Sequence, residues 1–338
     1  MSENATHLLI PFAAVSSEAA TQYLQDLKLP NLRQLLDVLT LVDSDIGTEE
    51  SFSPPHERAF ARAQGLPVVD GSIPWAAQKA MSFGLENAQI LPWSFVTLCH
   101  SVVGMGSMTM EDPDQLNVSE AESRQLFADM APYFLEDGLT LHYVEPKLWL
   151  CRGEPLCGVR TASLDRVIGK DLRDWQPADG EAAKLRRLQN EMQMVLYTHT
   201  VNDARSRVNA AVINSVYFHG NGELGGELNG ELNGELSGSS EKVNIKITTS
   251  VNMPRSLADT ALKEDWPAWA KAWEQLDATV CADLLKRVQA GESVTLSLCG
   301  ERSALTCEVR PKSTLERIKS SFRDVLGLRP VYLLPKQL

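Results

Sequence analysis

The sequence predicts an α/β fold, a mixed sheet with flanking helices. Three observations carry that reading. Helical and strand periodicities alternate along the whole chain, which favours layered α/β over a bundle or a sandwich. Long amphipathic segments carry their own start and stop signals. Short β-rich runs lie between them. With 338 residues and 43% hydrophobic content, the chain can bury enough for one large α/β domain or two smaller ones. We take 1–338 as a single domain, interrupted by a low-complexity loop at 222–242.

The elements follow in order. Residues 7–10 read as a first strand. Leu32, Leu35, Leu36 and Leu39 advance at helical spacing over 32–41, with Pro30 at the helix start. SPPHERAFARAQG predicts a helix opened by Ser53 and two prolines and closed by Gly65. A strand is expected over 97–103 and an amphipathic helix over 119–137, where Ser119 and Glu122 form a capping box and Gly138 terminates. Extended chain follows over 139–150.

Over 181–197, Leu185, Leu188, Met192, Val195 and Leu196 make one apolar stripe, while Arg186, Asn190, Gln193 and Tyr197 make a polar one on another face. HTVND is read as breaking this helix, so that Asn202, Asp203 and Arg205 begin a loop. A strand over 212–218 then runs into a glycine turn, HGNG. The repeat GELGGELNGELNGELSGSSEK has leucines at a helical interval, but each interior Gly costs a helix about 1 kcal/mol relative to Ala. It is therefore read as a flexible loop leading to a strand at 243–249. Trp266, Trp269 and Trp273 share one helical face and are expected in the core. A hairpin over 294–298 and 304–309 and a closing amphipathic helix over 314–326 complete the chain.

The net charge of -12 argues against general nucleic-acid binding, which needs a cationic surface to displace counterions. Glu3 stands where a signal peptide would carry a base, and Pro11 interrupts an apolar run too short for a bilayer, so a cytoplasmic protein without membrane attachment is expected. The six cysteines lack paired zinc-knuckle spacing and read as reduced, mostly buried thiols; Cys299 and Cys307 sit on adjacent predicted strands.

Chemical motifs are sparse. None of the six histidines, His7, His56, His100, His142, His199 and His219, has a partner at metal-ligand spacing, although an all-carboxylate magnesium site stays open. Nucleophile elbows and phosphate loops are absent, and VVGMGSMT lacks the third glycine of a dinucleotide motif, so no cofactor is expected.

What the residues do suggest is an anion pocket. RTASLDR offers Arg160, Ser163 and Arg166, whose guanidinium groups suit phosphate or carboxylate; Arg166 equally suits a pair with Asp165 or Asp171. Arg186 and Asn190 on the predicted helix, His199, Asn202 and Arg205 after it, Asn214 on the next strand, and His219 and Asn221 in HGNG complete the candidates. A mid-helix Asn gains little unless its amide finds partners. A glycine turn after a strand brings backbone N–H groups toward an anion. His199 also fits a satisfied core position, and Arg187 with Glu191 fits an ordinary helix pair.

HTVNDARSRVNAAVINSVYFHGNG resembles a stretch of the archaeal-type cofactor-independent phosphoglycerate mutases. SPPHERAFARAQGLP, DGSIPWAA, GVRTASLDRVIG, LRRLQNEMQM, INSVYFHGNG and LSLCGERSA resemble the RpfE-type family of bacterial regulatory proteins, often labelled mutase-like. The resemblance implies a fold distantly like that of alkaline phosphatase and phosphoglycerate mutase. True mutases need two metal ions, an early Asp-Gly motif, a Ser nucleophile and late Asp and His ligands. Here Asp70–Ser72 is a poor substitute for the first motif and no histidine follows His219, so the resemblance implies the fold without metal-dependent mutase chemistry. The expected function is regulation or ligand sensing, with a small phosphorylated or carboxylated ligand. An enzyme on such a compound is the alternative, with Arg160, Arg166, Arg186 and Arg205 as clamps and His199 or His219 as acid/base. A protein that binds partners through its acidic surface and the GELN loop is the third reading.

Overall fold

A computed structural model describes residues 6–176, 180–224 and 250–309. The GELN repeat from residue 225 onward, the strand expected at 243–249 and the helix expected at 314–326 lie outside the described residues. In chain order the elements are β1 (Thr6–Ile10), α1 (Glu18–Asp26), α2 (Pro30–Val38), β2 (Thr40–Ile46), α3 (Pro55–Ala63), α4 (Trp75–Ser82), β3 (Trp93–Cys99), β4 (Ser101–Val103) and β5 (Met108–Met110). They continue with α5 (Glu120–Glu136), β6 (Thr140–Glu145), β7 (Leu148–Arg152), α6 (Leu164–Val167), α7 (Ala183–Tyr197), α8 (Thr200–Arg207) and β8 (Ser215–Gly222). After these come β9 (Ser250–Asn252), α9 (Ser256–Ala261), α10 (Trp266–Leu276), α11 (Ala282–Gln289), β10 (Val294–Cys299) and β11 (Ser303–Glu308). The architecture is α/β with a mixed sheet and flanking helices, and the chain divides into two compact units, Met1–Gly65 with Lys246–Leu338, and Leu66–Ile245. Among the described residues no helix is long and apolar enough to cross a membrane.

The first unit is built on a five-stranded sheet ordered β2-β11-β10-β1-β9, parallel across β9, β1 and β10 and antiparallel beyond. Alternation along β1 and β10 sends Leu8, Ile10, Leu296 and Leu298 to one face, where Leu32, Leu35, Trp269 and Trp273 pack on them. Leu9, Cys299 and Ala304 face the other way, against Ala59 of α3. On the strands, His7 Nε2 meets Ser297 Oγ at 2.8 Å and Ser297 Oγ meets Thr306 Oγ1 at 2.8 Å, a buried polar row that satisfies itself.

A buried carboxylate organises the helical side. Between α10 and α11 the chain makes a π-turn over Asp277–Cys281, which carries Asp277 to the start of α2. There its carboxylate accepts from Leu32 N at 2.7 Å, Asn31 N at 3.2 Å and Asn31 Nδ2 at 3.1 Å. The residue that should cap α2 from its own chain, Leu29, has no side-chain acceptor, so Asp277 satisfies the orphan donors and the helix dipole instead.

The second unit holds an antiparallel sheet ordered β6-β7-β3-β8 and a small β4–β5 hairpin. Helices α5, α7 and α8 bring Leu126, Met130, Phe134, Leu188, Met192 and Val201 into one core with Val96, Leu98, Trp149 and Phe218 of the sheet. The capping box of α5 forms as expected, with Ser119 Oγ and the Glu122 carboxylate exchanging bonds across the first turn.

Four local expectations are corrected. The helix expected over 32–41 stops at Val38, because Leu39 N closes on Leu35 O and the next residues pair with β11. The strand expected over 97–103 is two strands broken at His100. HTVND ends one helix and starts another, since His199 Nδ1 accepts from Val201 N at 3.1 Å and serves as the N-cap of α8. HGNG is the end of β8 and not a turn; Gly220 takes φ +61° and bends the strand without ending its pairing with β3. The tryptophan row is core, with Trp269 and Trp273 buried. All six cysteines are unpaired thiols, only Cys157 is exposed, and Cys299 faces Ala304 while Cys307 faces Leu296.

Replacing Asp277 by Ala should cost about 2 kcal/mol, because buried backbone donors lose a charged acceptor. The denaturation midpoint in urea measures it; a loss below about 0.5 kcal/mol, the level of an ordinary surface change, would mean that α2 does not depend on this carboxylate.

Candidate functional site

The apolar stripe of α7 fixes how its polar stripe is used. Leu185, Leu188, Met192 and Leu196 are buried in the core, and this rotation lays Arg186, Gln189, Asn190 and Gln193 along β8. Among the described strands β8 is the edge of its sheet. Gln189 Nε2 donates to Val216 O at 3.2 Å, and Gln193 Nε2 reaches Ser215 Oγ at 3.4 Å. Helix side chains thus take up part of the hydrogen bonding that an edge strand leaves unused.

Between this helix face and the strand edge lies a cavity of about 120 Å³. Its polar lining includes Arg186, Gln189, Asn190 and Gln193 of the helix together with Thr161 and Gln176; Met108, Leu172, Trp175 and Leu185 are among its apolar lining. Tyr217 steadies the far wall by donating to Ala162 O at 3.1 Å. Among the described lining residues Arg186 is the sole cation and there is no carboxylate. Burial pushes the Cys99 thiol, also in the lining, up to about 12 and raises the Tyr217 phenol above its ordinary value.

Of the residues singled out in the sequence, Arg186 and Asn190 meet at this cavity. The others are engaged elsewhere. Arg160 pairs with Asp70, Nη2 to Oδ2 at 2.5 Å, in the Asp70–Ser72 segment that is a poor substitute for the Asp-Gly metal motif. Ser163 caps α6 by accepting from Asp165 N, and Arg166 is buried with its guanidinium 5.8 Å from the Trp175 ring centre. His199 Nε2 lies 3.0 Å from Asp129 Oδ2 while its other nitrogen caps α8. Asn202 donates to Leu196 O and Ile213 O and accepts from Ile213 N, so its amide is fully used. Arg205, buried, donates to Ala211 O, Leu116 O and the Glu122 carboxylate.

Asn214 pairs in both directions with the Ser101 backbone, accepting from its N at 2.7 Å and donating to its O at 2.8 Å. Asn221 donates to Leu156 O and Val159 O, which ties the end of β8 to the cavity wall. His219 Nε2 lies 2.8 Å from Thr97 Oγ1, its ring stacked with that of Tyr217 and tilted against that of Phe95. Desolvation of its ring outweighs the opposing pull of Asp165 and lowers its pKa to about 3. The sequence reading missed Gln189; its position three residues after Arg186 and four before Gln193 was the available signal.

Among the described residues no group of three or more His, Cys, Asp and Glu is gathered closely enough to hold a metal ion. No family model matches the chain, and no curated protein matches it. Among solved structures it is similar to a cofactor-independent phosphoglycerate mutase from Thermoplasma acidophilum DSM 1728, at 14% identity over 90% of this chain and 89% of that one, with a TM-score of 0.34. It is also similar to the PH0037 protein from Pyrococcus horikoshii, at 12% identity over 90% and 87%, with a TM-score of 0.43. Likeness at this level carries no argument about activity, so the chemistry rests on the site itself.

The buried histidines make stability depend on pH. His219 in the second unit and His7 in the first, lowered by burial to about 3 and about 4, are neutral when folded and bind protons more readily when unfolded. Their contribution is complete above pH 6.5, the ordinary histidine value, and is lost as pH falls from there toward those lowered values. Denaturation between pH 7 and pH 4.5, a window bracketed by the ordinary histidine value, should show falling stability. His219→Gln and His7→Gln should each flatten that slope, and an unchanged slope in both variants would remove the histidines as its cause.

Proposed function

We propose that the chain is an RpfE-type regulatory protein that senses a small phosphorylated or carboxylated compound in the β8 cavity without transforming it. The observation that carries this reading is the stripe of Arg186 and three carboxamides laid over a strand edge, in a lining with no carboxylate among its described residues. A guanidinium with amide donors suits an anion. The described lining residues bring no carboxylate that would repel that anion.

The groups around the cavity support binding more than catalysis. Carboxamides exchange no protons near neutrality. Cys99 is held protonated by burial and Tyr217 is raised, so neither is poised for acid–base work at pH 7. His199 and His219, on which an enzymatic reading depends, are bonded to Asp129 and Thr97. Membership of the RpfE-type family rests on the sequence segments that resemble it, as does the bacterial source; the cytoplasmic setting rests on the cysteine pattern of reduced thiols.

Thermal unfolding with 3-phosphoglycerate, sugar phosphates, nucleotides and short carboxylates tests the proposal. A ligand at 100 times its Kd should add about 2.7 kcal/mol of stability, and Arg186→Gln should abolish the shift. If no anion raises the melting temperature, the sensing role fails. Mutase turnover in the presence of manganese or magnesium would overturn the non-catalytic part.

A further inference from the structure

We infer that the chain pairs with a second copy of itself through an uncharged face made by the β4–β5 hairpin and the ends of α7 and α8. The face does not depend on what the β8 cavity holds.

Three stretches of the chain, 91–110, 192–202 and 208–222, contain no Lys, Arg, Asp or Glu, in a protein that is 22% charged. Where they run through β3, β8 and the buried side of α7, the core accounts for this. Their surface parts, 102–107, 197–200 and 208–211, have no such reason. Val103 is 79% exposed, Tyr197 84% and Val208 75%, and Met105 is fully exposed. Monomeric proteins rarely leave contiguous apolar surface uncovered.

The fold brings the three stretches to one end of the second sheet. Cys99, the last residue of β3, pairs with Ser215, the first of β8. Gln193 Nε2 of α7 reaches Ser215 Oγ, and Asn202 of α8 donates to Leu196 O and Ile213 O. His100 Nδ1 lies 2.8 Å from Val212 O, and Arg205 Nε donates to Ala211 O. The root of the hairpin and the ends of both helices therefore meet around residues 211–215. Exposed charges at Glu111, Asp203 and Arg207 border the three stretches in sequence, as a polar rim borders an apolar contact.

The hairpin is held at its base. Ser101 exchanges two bonds with the Asn214 carboxamide, Met108 N donates to Asp171 Oδ1 at 3.2 Å, and Gly169 N donates to Met110 O at 2.9 Å. At the tip Gly104 N closes on Ser107 O at 2.9 Å and Gly106 takes φ +88°. A tip fixed in this way presents Val103 and Met105 with little ordering cost on association.

A second copy is the partner that suits this face. With a net charge of -12, two copies repel over most of their surface and approach best where both are uncharged. A two-fold axis through the face sets the same residues against one another and closes the assembly at two. Three side chains at a hairpin tip fall short of the about 800 Å² that a stable interface buries on each partner, so the contact takes in Tyr197 and Val208 as well. A bilayer suits the face less, because these stretches have no Lys or Arg to meet anionic headgroups.

Sedimentation equilibrium of the full chain over a concentration series tests the pairing. It should show a monomer–dimer equilibrium that tightens as salt is raised, because screening removes the residual repulsion between acidic copies. Val103→Asp and Met105→Asp should each weaken the dimer by about tenfold or more, with unchanged circular dichroism showing that they fold. Ile90→Asp, exposed beyond the opposite end of β3, should leave it as it is. A monomer at every concentration would overturn the inference, as would a dimer that weakens with salt or that neither hairpin variant diminishes. Equal weakening by Ile90→Asp would mean unspecific apolar association, and a monomer that floats with phosphatidylcholine vesicles would assign the face to a lipid surface; either result overturns the pairing.

Discussion

The second unit depends on the register in which β8 lies along β3. Because strand residues alternate, one choice decides four things together: which side chains enter the core, which backbone groups pair, which face the sheet edge, and where α7 must sit to cover them. A slip of one residue would send Tyr217 and His219 into the apolar core and turn Val216 and Phe218 to the opposite face of the sheet. It would also leave Gln189 without its carbonyl. The cavity is the residue of that arrangement, a place where helix side chains cover an edge incompletely.

The asparagines of the 186–222 segment show how the register is held. Asn202 bridges the end of α7 to the start of β8 with three bonds to main-chain atoms, and Asn214 imitates a strand residue toward Ser101. Each carboxamide has one donor group and one acceptor in the geometry of a peptide. In buried, irregular chain it substitutes for the ladder bond that the backbone cannot make. Polar residues in a buried segment therefore have two uses here, closing backbone gaps and lining the cavity, and the two are neighbours because an edge strand creates both needs.

Legibility in the sequence followed the range of the interactions. The α5 capping box, the tryptophan core and the stripe of α7 depend on residues three and four apart, and all could be read directly. The two-stranded end of the first sheet was legible because CGERS separates its strands by a few residues. Beyond that range the signal failed. Nothing local distinguishes HGNG as a turn from HGNG as bent strand; the pairing of His219 with Thr97, 122 residues away, decides it. His199 was unreadable as a helix cap because its ring nitrogen replaces the usual hydroxyl or carboxylate. The cap on α2 was hidden for the same reason of distance, since Asp277 arrives from the far end of the chain.

At the end of β8 two glycines leave no room for a side chain. A Cβ on Gly220 would lie 2.8 Å from the Phe95 ring, in a backbone conformation already at φ +61°, and one on Gly222 would lie 2.6 Å from Ser72 O. Gly220 rests against the Phe95 ring and Gly222 directly on backbone, so sequence drift has no intermediate step at either position. The strand that anchors the cavity is therefore held to glycine at both positions, whatever residues the helix face across the cavity carries.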